Sequence, residues 1–175
     1  MNKYLINLIK DDDEEGLRYV TDYLESEDSP LHFFIRQWHI GNGEMQYRKN
    51  QLQSVISHII EIENDVSPIL LHFLGHGVID GTGIECITYN SLNEMLMPLA
   101  RHHQLYINLM NTCYSFGMVE QGCYKVLMYT DGEVNDIYSP FRIYENEENI
   151  TTEESFETFV RNFHLNNLRI NIRQE

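Results

Sequence analysis

Apolar residues along this chain fall into short runs that alternate with stretches of helical spacing. Residues 3–9 make a mostly apolar run of strand length, ending in the acidic run Asp11, Asp12, Asp13, Glu14 and Glu15. Leu17, Val20 and Leu24 then recur at helical spacing, and that helix is expected to stop near Ser29 and Pro30. Residues 31–40 read as a second strand, and Gly41, Asn42 and Gly43 as a turn. Leu52, Val55, Ile56, Ile59 and Ile60 give the clearest apolar helix face in the chain.

A third strand is predicted over residues 69–74, closed by Gly75, His76 and Gly77. Residues 78–86, with Asp80 to Gly83 in the middle, suit a small hairpin. Ser91 and Glu94 have capping-box spacing ahead of Leu92, Met95, Leu96 and Leu99. Pro98 lies inside that pattern and must end or kink the helix. Residues 105–110 predict a fourth strand leading into Asn111, Thr112 and Cys113, and residues 125–129 a fifth. Thr151 and Glu154 repeat the capping-box spacing before Phe156, Phe159, Val160 and Phe163, which mark a final helix. Residues 168–172 fit a short edge strand.

Strands alternating with helices imply one α/β domain over residues 1–175. Its sheet is expected to be mostly parallel, of about five to six strands, with helices on both faces. Ligands on such sheets bind beyond the carboxyl ends of the strands. Asp11, Asp12, Asp13, His76, Asn111, Thr112, Cys113, Asp131 and Glu133 all follow a predicted strand end, so they are expected to gather at one rim.

Composition narrows the function classes. Hydrophobic residues make up 42% of the chain and aromatics 11%, which argues against disorder. The formal net charge of -15 opposes binding to a nucleic-acid backbone and suits a cationic peptide or basic protein surface. The opening apolar run is too short for a signal peptide, and no apolar stretch approaches the ~18 residues of a membrane span. The cysteines Cys86, Cys113 and Cys123 are sparse and odd in number, which points to a reducing cytoplasm. His72 and His76 have the spacing of a helical metal pair but sit on a predicted strand, so no metal site is expected there. Asp80 to Gly83 lacks the ligands and flanking helices of a calcium loop, and no Gly-rich phosphate loop follows the first strand.

His76 and Cys113 each sit just past an apolar strand. If those strands are neighbours, imidazole and thiol face each other across the crevice. A thiol is nucleophilic as thiolate, and a nearby imidazole promotes that form. Gly77 leaves the backbone N–H after the histidine free of a side chain, and with the N–H of Cys113 it could form an oxyanion hole.

Two segments carry a resemblance. Residues 70–77, LLHFLGHG, and residues 105–115, LYINLMNTCYS, look like the two catalytic segments of caspase-like peptidases. That group includes caspases, metacaspases, paracaspases, separases and CHAT-type bacterial proteins. The resemblance implies a cysteine endopeptidase working through a thioester acyl-enzyme, without a cofactor. His76 would be its base, Cys113 its nucleophile, and the N–H groups of Gly77 and Cys113 its oxyanion donors. The caspase signature Q-A-C-[RQG]-G is absent, and His76 and Cys113 lie closer than the ~50 residues usual in caspases. The chain therefore resembles small bacterial members, which act in stress or antiphage defence.

In such relatives the loop after the first strand, the position two before the cysteine and the segment after the fifth strand build the specificity pocket. Here those places hold Asp11, Asp12, Asp13, Asn111, Asp131 and Glu133, so a substrate residue with a basic side chain is expected. Only 11 residues separate Cys113 from Lys125, too little chain for a cleavable linker. Control by an activating partner protein or ligand is expected instead. The alternatives are a catalytically silent caspase-like interaction module and, more distantly, a receiver-like or TIR-like signalling domain.

Overall fold

The computed structural model describes residues 1–134, 139–145 and 168–173. Its strands are β1 (Asn2–Asn7), β2 (Arg36–His39), β3 (Ile69–Leu74), β4 (Gly83–Ile84), β5 (Ile87–Thr88), β6 (Leu105–Asn108), β7 (Val126–Thr130) and β8 (Leu168–Ile172). Six of them form one sheet in the order β2-β1-β3-β6-β7-β8, and β4 pairs with β5 as a separate small hairpin. The sheet is parallel except for β8, which runs antiparallel along β7. The fold is thus α/β with a mostly parallel six-stranded sheet.

The helices are α1 (Glu14–Leu24), α2 (Met45–Ile62), α3 (Tyr89–Ala100) and α4 (Ser139–Arg142). Side chains alternate across each strand. Leu71 and Phe73 therefore enter one core with Leu52 and Ile56 of α2 and Leu92 and Leu96 of α3. Leu70 and Leu74 enter the other with Val20 and Tyr23 of α1 and Phe141 of α4. With both faces covered, the central strands read as unbroken apolar runs, which is why residues 69–74 are legible as a strand. Among the described residues no helix is long and apolar enough to cross a membrane.

Several local expectations are corrected. The strand expected over residues 31–40 is divided: Pro30–Phe33 forms a 3-10 turn, and only Arg36–His39 pairs with β1. Ser29 accepts from the Leu31 N–H, and Pro30 takes the first position of the turn, where its missing N–H costs nothing. The α1 helix ends at Leu24, well before Ser29. Thr88, not Ser91, caps α3, its hydroxyl accepting from the Ser91 N–H at 3.1 Å. Pro98 lies in the last turn of that helix, which ends at Ala100. The turn at Asp80 to Gly83 does form, between the bridged residues Gly77 and Ile84, but the named strands of the hairpin lie beyond it. The helix expected around Phe156 to Phe163 falls outside the described residues.

Arg48 of α2 holds the ends of β1 and β2 together. It is 1% exposed, the largest side chain so deeply buried. Its guanidinium donates to the carbonyls of Leu8, of Gly41 at 3.0 Å and of Ile40 at 3.4 Å, and to Cys86 Sγ at 3.4 Å. Removing it strands buried acceptors, each of which costs about 1–3 kcal/mol when unpaired. Arg48→Ala is expected to lower the unfolding free energy by about 3 kcal/mol, read as a shift of the urea midpoint at unchanged slope. A loss under about 1 kcal/mol would contradict this account of the strand ends.

Candidate active site

The parallel strands end at one rim, and β3 and β6 are neighbours there, His72 lying opposite Asn108. The segments after them, residues 75–77 and 111–113, therefore leave the sheet side by side. Gly77 packs directly on the Cys113 backbone: a Cβ built on Gly77 would lie 1.6 Å from the Cys113 carbonyl oxygen and 3.3 Å from its nitrogen. No side chain fits at that place. A second close approach follows, where a Cβ on Gly117 would meet the Gly81 carbonyl oxygen at 1.8 Å.

Gly77 bridges Ile84 through the flanking bonds from Val78 N–H to Gly83 O (3.0 Å) and from Glu85 N–H to His76 O (2.6 Å). In such a wide pair the N–H of Gly77 itself points away from Ile84. Among the described residues neither the Gly77 N–H nor the Cys113 N–H meets an acceptor.

His76 is gripped at both ends. Its backbone N–H donates to Glu85 Oε1 at 3.0 Å, and its Nε2 lies 2.5 Å from Asp13 Oδ2. The His76 side chain is 62% exposed and that of Asp13 28%. Asp13 caps α1, its other carboxylate oxygen accepting from the Gly16 N–H at 2.9 Å. That bond to Gly16, and then the His76 ring, hold the Asp13 carboxyl below its ordinary value. A carboxylate accepts only, so Nε2 carries the proton it shares with Asp13, and Nδ1 is left as the basic nitrogen. Gly16 makes room: a Cβ there would lie 2.3 Å from Asp13 Oδ2 and 3.0 Å from His76 Nε2.

The Cys113 turn is tied to β7. Ser115 Oγ donates to Leu109 O at 3.2 Å and accepts from the Thr130 N–H at 2.9 Å, while Thr130 Oγ1 donates to Thr112 O at 2.8 Å. Tyr114 adopts the left-handed conformation at φ 54°, held by its N–H to Gly132 O at 2.9 Å. Cys113 Sγ accepts from the Val134 N–H at 3.2 Å. Among the described residues it has no hydrogen bond to His76, but both line one cleft of about 300 Å³ between α1 and the strand ends. The other cysteines are elsewhere. Cys86 Sγ accepts from Arg48, and burial pushes the Cys123 thiol up to about 12.

Of the residues expected at the rim, His76, Cys113, Asp13 and Asn111 line the cleft together, with Gly77 behind Cys113. The others do not line it. Asp11 accepts from the Asn42 N–H at 3.2 Å, Asp131 pairs with Arg169 Nε at 2.9 Å, and Glu133 accepts from the Tyr114 hydroxyl at 3.3 Å. Asp12 is exposed. Among the described residues no group of three or more His, Cys, Asp and Glu side chains is placed to hold a metal ion.

His72 has a role that its sequence does not advertise. Tyr144 OH accepts from Asn108 Nδ2 at 2.9 Å and donates to His72 Nδ1 at 2.5 Å, and His72 Nε2 donates to Asn111 Oδ1 at 2.7 Å. The ring stacks on Phe141 with centroids 4.5 Å apart. This buried chain aims Asn111 into the cleft. No protein-family model matches the chain, and neither does any curated protein.

Two expectations follow. Burial lowers the His72 pKa from 6.5 to about 3. The unfolded chain then binds a proton that the folded chain refuses, so stability falls as pH drops from 6.5 to about 3. One such group contributes a slope of up to about 1.4 kcal/mol per pH unit. Urea unfolding at several pH values should show His72→Gln lacking that part of the slope; an unchanged slope would mean that His72 is charged in the fold. Gly77→Ala, in turn, must force the two segments apart. It should slow alkylation of Cys113 by iodoacetamide or a peptidyl ketone at least about tenfold while leaving the circular dichroism spectrum in place; an unchanged rate would show that the contact does not position the cysteine.

Proposed function

We propose that the chain is a caspase-like cysteine peptidase, with Cys113 as nucleophile and His76 as general base. The observation that carries this reading is the contact of Gly77 with the Cys113 backbone, which leaves no space for a side chain. It brings a histidine segment and a cysteine segment to the mouth of one cleft, with two backbone N–H groups beside them. The Asp13 contact supports it further, because it orients the ring and, in the neutral imidazole, selects the tautomer whose Nδ1 can accept a proton.

The chemistry runs in two halves. Nδ1 of His76 takes the Cys113 proton as Sγ attacks the scissile carbonyl carbon. The carbonyl oxygen gains the negative charge and is met by the N–H groups of Gly77 and Cys113. As the C–N bond breaks, the imidazolium gives its proton to the departing amine, leaving a thioester. Water then attacks the thioester, His76 taking its proton, and the carboxylic product leaves as the thiol is re-formed.

One observation favours a second reading, a silent caspase-like interaction module: Cys113 Sγ is bonded to the Val134 N–H and not to His76. Unliganded sites often hold catalytic hydrogen bonds open, so the geometry leaves the first reading ahead. Kinetics separate the two. Cys113→Ala and His76→Ala should each lower kcat/KM for a peptide by at least about 10⁴-fold, and the double variant should fall no further, because the pair acts as a unit. Cys86→Ala and Cys123→Ala should stay within a few fold. Peptide hydrolysis that survives in Cys113→Ala would remove this assignment.

A further inference from the structure

We propose that the cleft beside Cys113 is a pocket for an apolar side chain of the substrate, the residue whose carbonyl Cys113 attacks. This rests on the peptidase reading above. Besides Cys113, His76 and Asn111, the cleft is lined by the apolar Ile9, Tyr19, Val20, Leu74 and Val134 and by Asp13 and Glu15. An acyl group on Sγ, with its oxygen toward the Gly77 and Cys113 N–H groups, has this cleft as the neighbouring space for its side chain.

Charge decides between an apolar and a basic side chain. A basic one needs a carboxylate inside the cleft. Asp13 has one oxygen on the Gly16 N–H and the other on His76. Asp11, Asp131 and Glu133 are bound away from the cleft, to Asn42, Arg169 and Tyr114. Glu15 remains, on the first turn of α1, and it is exposed. An exposed ion pair adds little, because water screens it and two long side chains must be immobilised. An aliphatic or aromatic side chain instead covers the Tyr19 ring, the apolar wall that is exposed, and packs on the edges of Ile9, Val20 and Leu74 that reach the cleft. The aspartate preference of animal caspases has no support here, since no lysine or arginine lines the cleft among the described residues, while Asp13 and Glu15 do.

The test uses the intact chain and fluorogenic peptides that differ only in the residue before the scissile bond. Leu, Met and Phe peptides should exceed Arg, Lys and Asp peptides in kcat/KM by at least about tenfold, the discrimination an apolar pocket supplies. Leu-peptide turnover should be the same at low and high salt. Tyr19→Ala, which removes the exposed apolar wall, should lower Leu-peptide turnover relative to Arg. Cys113-dependent cleavage with Arg, Lys or Asp equal to Leu or better would overturn the apolar pocket and leave the peptidase reading standing. No cleavage of any peptide, with no labelling of Cys113 by peptidyl ketones, would overturn the peptidase reading and the pocket with it.

Discussion

Two stretches of backbone in contact at residues with no side chain govern the arrangement of the rim. Gly77 rests on the Cys113 peptide, and a few residues on Gly117 rests on the Gly81 carbonyl. Backbone at that distance fixes position far more tightly than side chains can, because no rotamer stands between the two segments. The cost is specificity of sequence: a Cβ at either glycine would meet a carbonyl oxygen well inside contact distance. Parallel neighbours β3 and β6 deliver the two segments to the same edge, but their register ends at His72 and Asn108 and does not by itself fix the loops beyond. The glycine contacts do so, and they place an imidazole-bearing turn against a thiol-bearing turn.

Three further supports reach this contact from three directions. From α1 comes Asp13, which closes the helix end and holds the His76 ring with the same carboxylate. Gly16 inside the first turn is unfavourable for a helix by about 1 kcal/mol relative to alanine, yet any Cβ there would collide with that carboxylate. From β7 comes Thr130, bound to Ser115 and to the Thr112 carbonyl, and just beyond it Gly132, whose carbonyl holds Tyr114 in a conformation L-residues rarely adopt. From beneath comes the neutral chain Asn108, Tyr144, His72 and Asn111. These supports rest on different elements, so the rim inherits the rigidity of the sheet and not of any one loop.

The strands and their order of appearance were legible because a strand buried on both faces is a run of apolar residues, as in residues 69–74. His76 and Cys113 were legible for the same reason: each ends such a run. What the pattern could not show was the direction of a side chain in a loop. Asp11, Asp12 and Asp13 are equivalent in a composition argument, yet only Asp13 turns to His76, because it alone is the helix cap. Asp131 follows the strand end as expected but is held by Arg169 on the antiparallel edge, a pairing that no local spacing encodes. Residues 31–40 misled because Ser29 and Pro30 already favour a turn, a signal outweighed in reading by the apolar residues after it. His72 was hidden by its own context, since a histidine inside an apolar strand has the same spacing whatever it bonds. Ser115 was within reach, for a serine two residues after a strand-end cysteine can strap its own turn.

The distribution of charge separates two tasks at this rim. The chain carries a net charge of -15, and Asp11, Asp12 and Glu15 are exposed close to the ends of β1 and α1. A field of that sign draws cationic segments toward the surface within about a Debye length, which raises the rate of encounter at low salt. It does not choose what enters the cleft, since a charge in water contributes little to a bound pair. Inside, Tyr19 and the edges of Ile9, Val20 and Leu74 share the wall with Asp13, Glu15 and Asn111, and contact with the apolar part is indifferent to salt. An acidic chain therefore need not signal a basic ligand: Asp11 and Asp12 make the field without lining the cleft, Asp13 is engaged with Gly16 and His76, and Glu15 belongs to both the field and the cleft.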